Sequence, residues 1–307
     1  MSTTKLPTSA ELAKKRSKFK RKMLLVGVNE YSDPRNNLAG CVNDVLDVQN
    51  TMRVLGIPRT QIRILTDFRA TKANVMKQLD WLVKDAKEGD VLGFYFSGHG
   101  SYVTDVDGDE HSDGVDEVIL PTDFSFRDKT YITDDELHAK FTGATPPGVR
   151  CEIILDSCHS GTGSRSLTTS QLPTGDIATA RFLPPPMEYQ VAFNDIIPSQ
   201  TKFNYIGGKA VEKGQHNVAW YACQDYQVAW EMYINGQVRG CFTQSLMEIL
   251  RRSNGNKPRG DVYNLLRNHF LKQRYQQTPG LDLATPEQIN LYAFRRNFED
   301  DPSEVAA

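Results

Sequence analysis

Two short strings combine an apolar run, small residues and a reactive side chain. The first is FYFSGHG at 94–100, which carries His99, and the second is IILDSCHSG at 153–161, which carries Cys158. A buried strand followed by serine and glycine lets the backbone turn sharply and presents the next side chain at the carboxyl edge of a sheet. Because the carboxyl ends of parallel strands share one edge, His99 and Cys158 can meet there. The pair predicts a cysteine–histidine hydrolase.

The chemistry follows from the properties of a thiol and an imidazole. A free thiol is only a few per cent thiolate at neutral pH, so it needs a neighbouring base. We expect Cys158 to attack a scissile carbonyl, His99 to protonate the leaving amine, and water to hydrolyse the thioester. The backbone N–H groups of Cys158 and Gly100 are predicted to hold the oxyanion. His159 is a weaker candidate for the base, since it follows the nucleophile directly and would point away.

The composition is that of an ordinary globular protein. The chain has 307 residues, of which 39% are hydrophobic, and 36 basic against 38 acidic residues give a net charge of −2. This balance gives no general attraction to nucleic acid or to anionic membranes. No segment approaches the roughly 18 apolar residues that a membrane span needs, and no export signal is predicted. A cytoplasmic location is therefore expected.

The cysteines argue against a disulfide framework or a structural zinc site. They are odd in number, scattered and without a CxxC pair, which fits a reducing compartment. Cys151 begins an apolar strand, and we interpret it as a buried core residue. Cys223 and Cys241 have neither a small-residue loop nor a partner histidine, and we interpret them as structural.

Strands alternate with helices along the chain, and several strands are uniformly apolar. This pattern predicts an α/β fold with a mostly parallel central sheet and helices on both faces. The predicted strands are 23–28, 62–65, 91–96, 117–120, 151–155, 217–223 and 288–292. The predicted helices are 42–55, a helix capped by Thr71 with an apolar face to Val83, 134–141, 243–251 and 261–271.

The same pattern gives the domain organisation. Residues 1–22 form a basic N-terminal arm, residues 23–292 a single domain, and residues 293–307 a C-terminal tail. Within the domain, the part at 23–160 carries His99 and Cys158. Residues 161–214, rich in Ser, Thr, Gly and Pro, are predicted to be a long flexible loop, which in a compact enzyme is usually functional or disordered. Periodicity resumes at 215–292.

Four strings together resemble those of a known family. They are GCVND at 40–44, YFSGHG at 95–100, the acidic stretch at 107–123 and DSCHSG at 156–161. In this order and spacing the chain resembles the caspase-fold cysteine peptidases of the C14 type, and within them the metacaspases and bacterial orthocaspases. The resemblance covers about residues 22–292. It implies a caspase-like (caspase–hemoglobinase) fold, in which 23–160 is large-subunit-like and 215–292 small-subunit-like.

The resemblance also implies a substrate pocket. In metacaspases the equivalents of Cys41, Asp44, Ser97 and Asp156 line the pocket for the side chain that precedes the cleaved bond. Two carboxylates in a narrow pocket select Arg or Lys and repel Asp, so protein substrates with Arg or Lys at this position are expected. An alternative for Asp44 is an acid in a first helical turn, favoured by the macrodipole. Residues 222–225 and 227–231 lie where the family places a substrate-binding loop, without an assigned role.

Calcium is a possible activator, although the proposed chemistry needs no cofactor. Hard oxygen ligands, which calcium prefers, are dense at 105–117, but the spacing is not that of an EF-hand. The resemblance implies a calcium site at Asp116, Asp134 and Asp135. The further acid expected after the nucleophile is absent from 162–166, which leaves a calcium requirement open, and a solvated acidic loop is the alternative.

Activation by cleavage is a further hypothesis. The segment 161–214 contains Arg165, Arg181 and Lys202, and exposed loop tips are preferred nicking sites. The leading hypothesis is an Arg/Lys-directed cysteine endopeptidase that by resemblance acts in bacterial stress, death or defence, with activation by loop cleavage, calcium or a partner left open. The alternatives are a catalytically silent caspase-fold scaffold that binds partners, and a zymogen that depends strictly on an activating partner protein.

Overall fold

A six-stranded sheet forms the centre of the molecule. The computed structural model describes residues 19–104, 115–158, 169–171, 177–186, 216–224 and 227–294. The strands of the sheet are β1 (Arg21–Gly27), β2 (Ile62–Thr66), β3 (Val91–Ser97), β7 (Arg150–Asp156), β10 (His216–Tyr221) and β13 (Gly280–Leu283). Their spatial order is β13-β10-β7-β3-β1-β2, and all neighbours are parallel except β13, which is antiparallel to β10.

Helices cover both faces of this sheet. They are α1 (Cys41–Val54), α2 (Lys72–Val83), α3 (Asp134–His138), α4 (Cys241–Arg252) and α5 (Arg259–Gln273). Alternate residues of a strand point to opposite faces, so Met23 and Leu25 of β1 pack with α1, α4 and α5. Leu24 and Val26 pack with α2 and α3 on the other face. The predicted α/β fold with a mostly parallel sheet covered on both faces is confirmed.

Two smaller antiparallel sheets lie beside the central one. The first contains β4 (Gly100–Thr104), β5 (Val115–Ile119) and β6 (Ile132–Thr133), in that order. The second contains β8 (Thr169–Gln171), β9 (Ile177–Ala180), β11 (Trp230–Ile234) and β12 (Gln237–Gly240), in the order β12-β11-β9-β8.

The structure corrects several predicted boundaries. Part of the segment 161–214 forms β8 and β9, so it is not one continuous loop. The predicted strand 288–292 is wrong: residues Pro286–Asn290 form a 3-10 helix, because Pro286 starts it and Thr285 and Gln288 cap each other reciprocally. The last strand among the described residues is instead β13. The domain extends beyond 23–292 at both ends, since β1 begins at Arg21 and Ala293 and Phe294 are buried. The predicted helix 134–141 is α3 followed by a π-helical turn at Ala139–Gly143.

A buried ion pair joins the helical layer to the sheet. Arg259 at the start of α5 donates to Glu152 of β7, and both side chains are fully buried. Glu152 Oε2 also accepts from Trp220 Nε1 at 3.2 Å, and Arg259 Nη1 donates to the Gln288 carbonyl at 3.1 Å. None of the helices among the described residues combines the length and the apolar content needed to cross a membrane.

Candidate active site

The register of the central sheet brings the two reactive residues to one edge. Ser97, the last residue of β3, pairs with Asp156, the last residue of β7. His99 and Cys158 each follow two residues later, so they leave neighbouring strands at the same carboxyl edge. Both residues are buried.

The two N–H groups predicted to form an oxyanion hole meet at one oxygen atom. The N–H of Gly100 and that of Cys158 donate to the carbonyl oxygen of Arg181, at 3.1 and 3.2 Å. A pair of backbone donors converging on one carbonyl can stabilise negative charge that develops on that oxygen.

His99 is held by two groups that the sequence analysis did not find. Its Nε2 lies 2.8 Å from the carbonyl oxygen of Asn36, and its backbone N–H donates to the Tyr31 hydroxyl at 2.8 Å. Since a carbonyl only accepts, Nε2 carries the proton and Nδ1 is a bare acceptor. Within the described part of the chain, Nδ1 is buried and has no hydrogen-bond partner.

The surroundings of His99 keep it neutral. Burial is the main cause that lowers its pKa to about 4, and the positive charge of Arg181 acts in the same direction. At neutral pH the imidazole is therefore a base that can take a proton at Nδ1.

The Cys158 thiol lies against the loop before β11. Its Sγ accepts a hydrogen bond from the Ala229 N–H and lies 3.7 Å from the Ala229 carbonyl. The Sγ of Cys223 is 3.8 Å away. The sequence analysis interprets Cys223 as structural, and the structure places it directly beside the candidate nucleophile.

The predicted substrate pocket is built around Arg181, whose side chain is fully buried. Its Nη1 donates to the Ser97 hydroxyl at 2.9 Å and lies 2.9 Å from Asp156 Oδ2. Its Nη2 lies 2.7 Å from Asp44 Oδ2. Cys41 is buried beside this pocket, and its Sγ lies 3.9 Å from a third carboxylate.

That third carboxylate belongs to Glu231 of β11. Its Oε2 lies 3.2 Å from Arg181 Nη2, and its side chain is 2% exposed. The sequence analysis missed this role. The only signal was the position of Glu231 at the end of the predicted substrate-binding loop, 227–231, because its contacts join residues that are distant in the chain.

Two helix N-termini offset the negative charge of the pocket. The glycines before α1 and α4 donate their N–H groups to carboxylates: Gly40 to Glu231 at 3.0 Å and Gly240 to Asp44 at 3.0 Å. Asp156 Oδ2 accepts from the N–H of Thr243 in the first turn of α4, at 3.2 Å. The positive ends of both helices stabilise nearby carboxylates. Burial nevertheless raises the pKa of Asp44 to about 7, against the lowering effect of the Arg181 charge.

The pocket fits a flat guanidinium with little room to spare. A Cβ on Gly240 would collide with Asp156 Oδ2 and would lie 2.5 Å from Arg181 Nη1. A Cβ on Gly40 would lie 2.9 Å from Glu231 Oε2 and 3.0 Å from Arg181 Nη2. The absence of a side chain at these two positions is what lets the helix ends approach the cation.

The segment that carries Arg181 crosses the site as an extended strand. Ala180 of β9 pairs with Trp230 of β11, and the Arg181 N–H donates to the Ala229 carbonyl at 3.0 Å. Beyond Arg181, the Leu183 N–H donates to the Gly100 carbonyl at 3.1 Å. Backbone pairing to an existing strand, with one side chain in a pocket, is a general mode of peptide recognition.

Of the three predicted processing residues, only Arg181 is described. Arg165 and Lys202 lie outside the described residues. Arg181 directly follows β9 and its side chain is buried in the pocket, so it does not lie at an exposed loop tip.

The predicted calcium ligands lie on β5 and α3. β5 and β6 are antiparallel with Val118 opposite Thr133, which brings Asp116 and the pair Asp134 and Asp135 to the same end of the small sheet. Among the residues that the structure describes, no group of three or more His, Cys, Asp or Glu side chains could hold a metal ion. The described residues therefore do not form a calcium site by themselves, and most of the acidic stretch 105–117 lies outside them.

Comparison with known proteins shows the family of the chain. The family model described as metacaspase, peptidase C14 domain, matches residues 21–165. Metacaspase-1A of Aspergillus oryzae is 32% identical over 297 residues, which is 87% of this chain and 68% of that protein. Metacaspase-1 of Emericella nidulans is 32% identical over 303 residues, covering 89% of this chain and 72% of that protein.

Two solved structures share the fold. A protein from Geobacter sulfurreducens superposes with a TM-score of 0.65 at 24% identity, covering 90% of this chain and 99% of that chain. Caspase-1 from Spodoptera frugiperda superposes with a TM-score of 0.52 at 13% identity, covering 86% of each chain. At these identities the similarity shows the fold alone.

Proposed function

Because the chain belongs to the metacaspase family, and is therefore a caspase-fold cysteine peptidase of the C14 type that acts on proteins, we propose that it is an endopeptidase that cleaves after Arg or Lys. Cys158 is the nucleophile of this proposal and His99 its acid–base partner. The pocket for the basic side chain consists of Cys41, Asp44, Ser97 and Asp156.

One observation carries the proposal: Arg181 lies in the site as a substrate would. Its guanidinium is buried among carboxylates, and its carbonyl oxygen accepts hydrogen bonds from Gly100 and Cys158. The carbonyl carbon that Cys158 would attack is thus held by the same donors that would stabilise the oxyanion. An Asp side chain in this pocket would add another buried carboxylate to those present, which is unfavourable.

The mechanism proposed for the reaction uses these groups in order. His99 Nδ1 takes the thiol proton, and Cys158 Sγ forms a bond to the carbonyl carbon while the negative charge on oxygen is held by the Gly100 and Cys158 N–H groups. The C–N bond then breaks as His99 gives its proton to the leaving amine. A water molecule, deprotonated by His99, attacks the thioester and releases the carboxylate and the thiol. The Asn36 carbonyl keeps the imidazole oriented throughout.

We further propose that the chain is a zymogen processed at the bond between Arg181 and Phe182. While Arg181 fills the pocket, no other basic side chain can enter. Cleavage of this bond would free the carboxyl end of the segment, so that Arg181 could leave the site while β9 stays paired with β8 and β11. Arg165 and Lys202 stay as additional proposed processing positions.

A zymogen that depends on a partner is the second candidate. It is supported by the complete burial of Arg181, which leaves no room in the proposed pocket for another side chain. A partner protein that binds β9 or β11 could release the segment without cleavage. Calcium bound near Asp116, Asp134 and Asp135 is a proposed activator of the same step.

The experiment compares peptides that differ only in the residue before a fluorogenic leaving group: Arg, Lys or Asp. The purified chain and its Cys158→Ala variant are assayed with and without millimolar calcium, and mass spectrometry identifies any self-cleaved bond. We expect Arg and Lys peptides to be cleaved by the unmodified chain only, together with cleavage before Phe182. Hydrolysis of the Asp peptide would contradict the pocket assignment, and activity in Cys158→Ala would exclude Cys158 as the nucleophile. Activity that appears only when another protein is added would favour the second candidate.

A further inference from the structure

Glu231 adds a third carboxylate to the pocket, which the carboxylates of Asp44 and Asp156 already make acidic. The two terminal nitrogens of the bound guanidinium are divided between opposite sides of this pocket. Nη1 faces Asp156 and Ser97, whereas Nη2 faces Asp44 at 2.7 Å and Glu231 at 3.2 Å. Glu231 therefore touches one arm of the fork only.

Hydrogen bonds other than those with the Arg181 guanidinium position the Glu231 side chain. Its Oε1 accepts from the Ala39 N–H at 2.8 Å and its Oε2 from the Gly40 N–H at 3.0 Å. These consecutive backbone donors precede α1, and β11 supplies the other end of the side chain. The carboxylate will thus keep its place when Arg181 leaves, which is the property of a preorganised binding group.

Arginine and lysine would meet this arrangement differently. A guanidinium is a planar fork whose two nitrogens can bind separate carboxylates, whereas a lysine ammonium is a single compact charge at about the position of the arginine Cζ. One ammonium cannot occupy both nitrogen positions. With lysine in the pocket, at least one of the three buried carboxylates would be left without a cation in contact, and an unpaired buried charge is costly.

We propose that Glu231 makes this pocket specific for arginine over lysine, an inference that rests on the proposed function above. Glu231 binds Nη2 of the entering arginine and raises the cost of accepting lysine. It is a specificity-determining residue of the same reaction, and it takes no part in bond making or breaking.

The test uses Glu231→Gln, which keeps the shape of the side chain and removes its charge. The matched control is Glu248→Gln on α4, because Glu248 pairs with Arg252 away from the pocket. Values of kcat/KM are measured for two peptides that differ only in Arg or Lys. We expect Glu231→Gln to lower the value for the Arg peptide by roughly 10- to 100-fold, the range for losing a hydrogen bond to a charged group. The value for the Lys peptide should fall much less, and Glu248→Gln should leave both unchanged.

The ratio of the two values separates specificity from a structural role. If Glu231→Gln lowers kcat/KM for the Arg and the Lys peptide equally, Glu231 only anchors the turn at Ala39 and Gly40, and the inference is wrong. If the unmodified chain cleaves neither peptide, or cleaves the Asp peptide, the proposed function fails and this inference fails with it.

A second variant tests the same idea without changing Glu231. In Arg181→Lys the chain presents lysine to its own pocket. We expect self-cleavage before Phe182 to slow by roughly the same 10- to 100-fold, measured by following the two fragments with time. Self-cleavage at the unmodified rate would overturn the proposal even if Glu231→Gln did not fold.

Discussion

Among the residues that the structure describes, two arginines are completely buried, and their surroundings differ. Arg259 is matched by one carboxylate, Glu152, and its Nη1 donates to a backbone carbonyl. Arg181 faces three carboxylates, from Asp44, Asp156 and Glu231. Both side chains are inaccessible to solvent, so burial alone does not distinguish them.

The difference lies in charge balance and in what carries the cation. Arg259 and Glu152 both belong to long elements of the core, α5 and β7, and their charges cancel. Around Arg181 the carboxylates belong to α1, β7 and β11, while the cation belongs to a short segment that backbone hydrogen bonds hold to Ala229 and Gly100. A surplus of buried charge is costly without a counterion, which supports the proposed pocket for a basic side chain, whereas the matched pair belongs to the core.

Glu152→Gln is expected to show the largest effect. It leaves the buried Arg259 charge uncompensated, which should lower the free energy of unfolding by about 3–5 kcal/mol. Chemical denaturation of the Cys158→Ala background, where no cleavage interferes, measures the change. A loss of less than about 1 kcal/mol would mean that the pair of Arg259 and Glu152 does not stabilise the core.

Asp156→Asn is the matching change in the other cluster. It relieves part of the surplus negative charge, so we expect a change in unfolding free energy of about 1 kcal/mol or less. The value of kcat/KM for Arg peptides should nevertheless fall about 30-fold or more, since a buried charge partner of the substrate is lost. The two acid-to-amide changes should thus separate stability from activity. If Asp156→Asn instead unfolds the chain as strongly as Glu152→Gln, the comparison fails.

Arg181→Gln removes the cation from the cluster of three carboxylates. The neutral side chain no longer fits the pocket, and the segment can leave so that water solvates the carboxylates. We expect cleavage before Phe182 to stop, with a smaller loss of unfolding free energy than Glu152→Gln causes, because water can reach the carboxylates once the segment leaves. Arg165→Gln is the matched control in the same segment 161–214. Fragment masses on incubation check the first result, and unchanged cleavage before Phe182 would contradict it.

Sequence reasoning found what is local. The apolar runs that end at Ser97 and Asp156 placed two strand ends, and hence His99, Cys158 and the two N–H donors, at one edge. It could not find what is joined across long stretches of chain. Asn36 and Tyr31 hold His99 from a loop that precedes it by more than sixty residues, and Glu231 reaches Gly40 across 191 residues.

The errors of secondary structure have physical causes too. β8 and β9 are short and rich in Ser, Thr and Ala, so they show no apolar alternation, and pairing with β11 stabilises β9. Residues 288–292 do alternate, with Ile289 and Leu291 apolar, but Pro286 and the reciprocal cap between Thr285 and Gln288 start a 3-10 helix instead.

The smallest expected effect concerns pH and distinguishes the filled pocket from the empty one. With Arg181 in place, burial and the arginine charge lower the pKa of His99 to about 4, so the neutral imidazole is present at any pH above about 4. When the segment leaves and water enters, both causes weaken and the pKa of His99 rises towards its ordinary value of about 6.5.

The rate of self-cleavage reports the state with Arg181 in the pocket, whereas kcat/KM for a peptide reports the free enzyme. We therefore expect self-cleavage before Phe182 to persist at pH 5, where peptide hydrolysis by the processed enzyme has fallen, with the acid limbs separated by about one to two pH units. Rates of both reactions measured between pH 4 and 8 check this. Coincident acid limbs would mean that Arg181 does not control the environment of His99, and that the surplus of carboxylates around it is not coupled to the catalytic base.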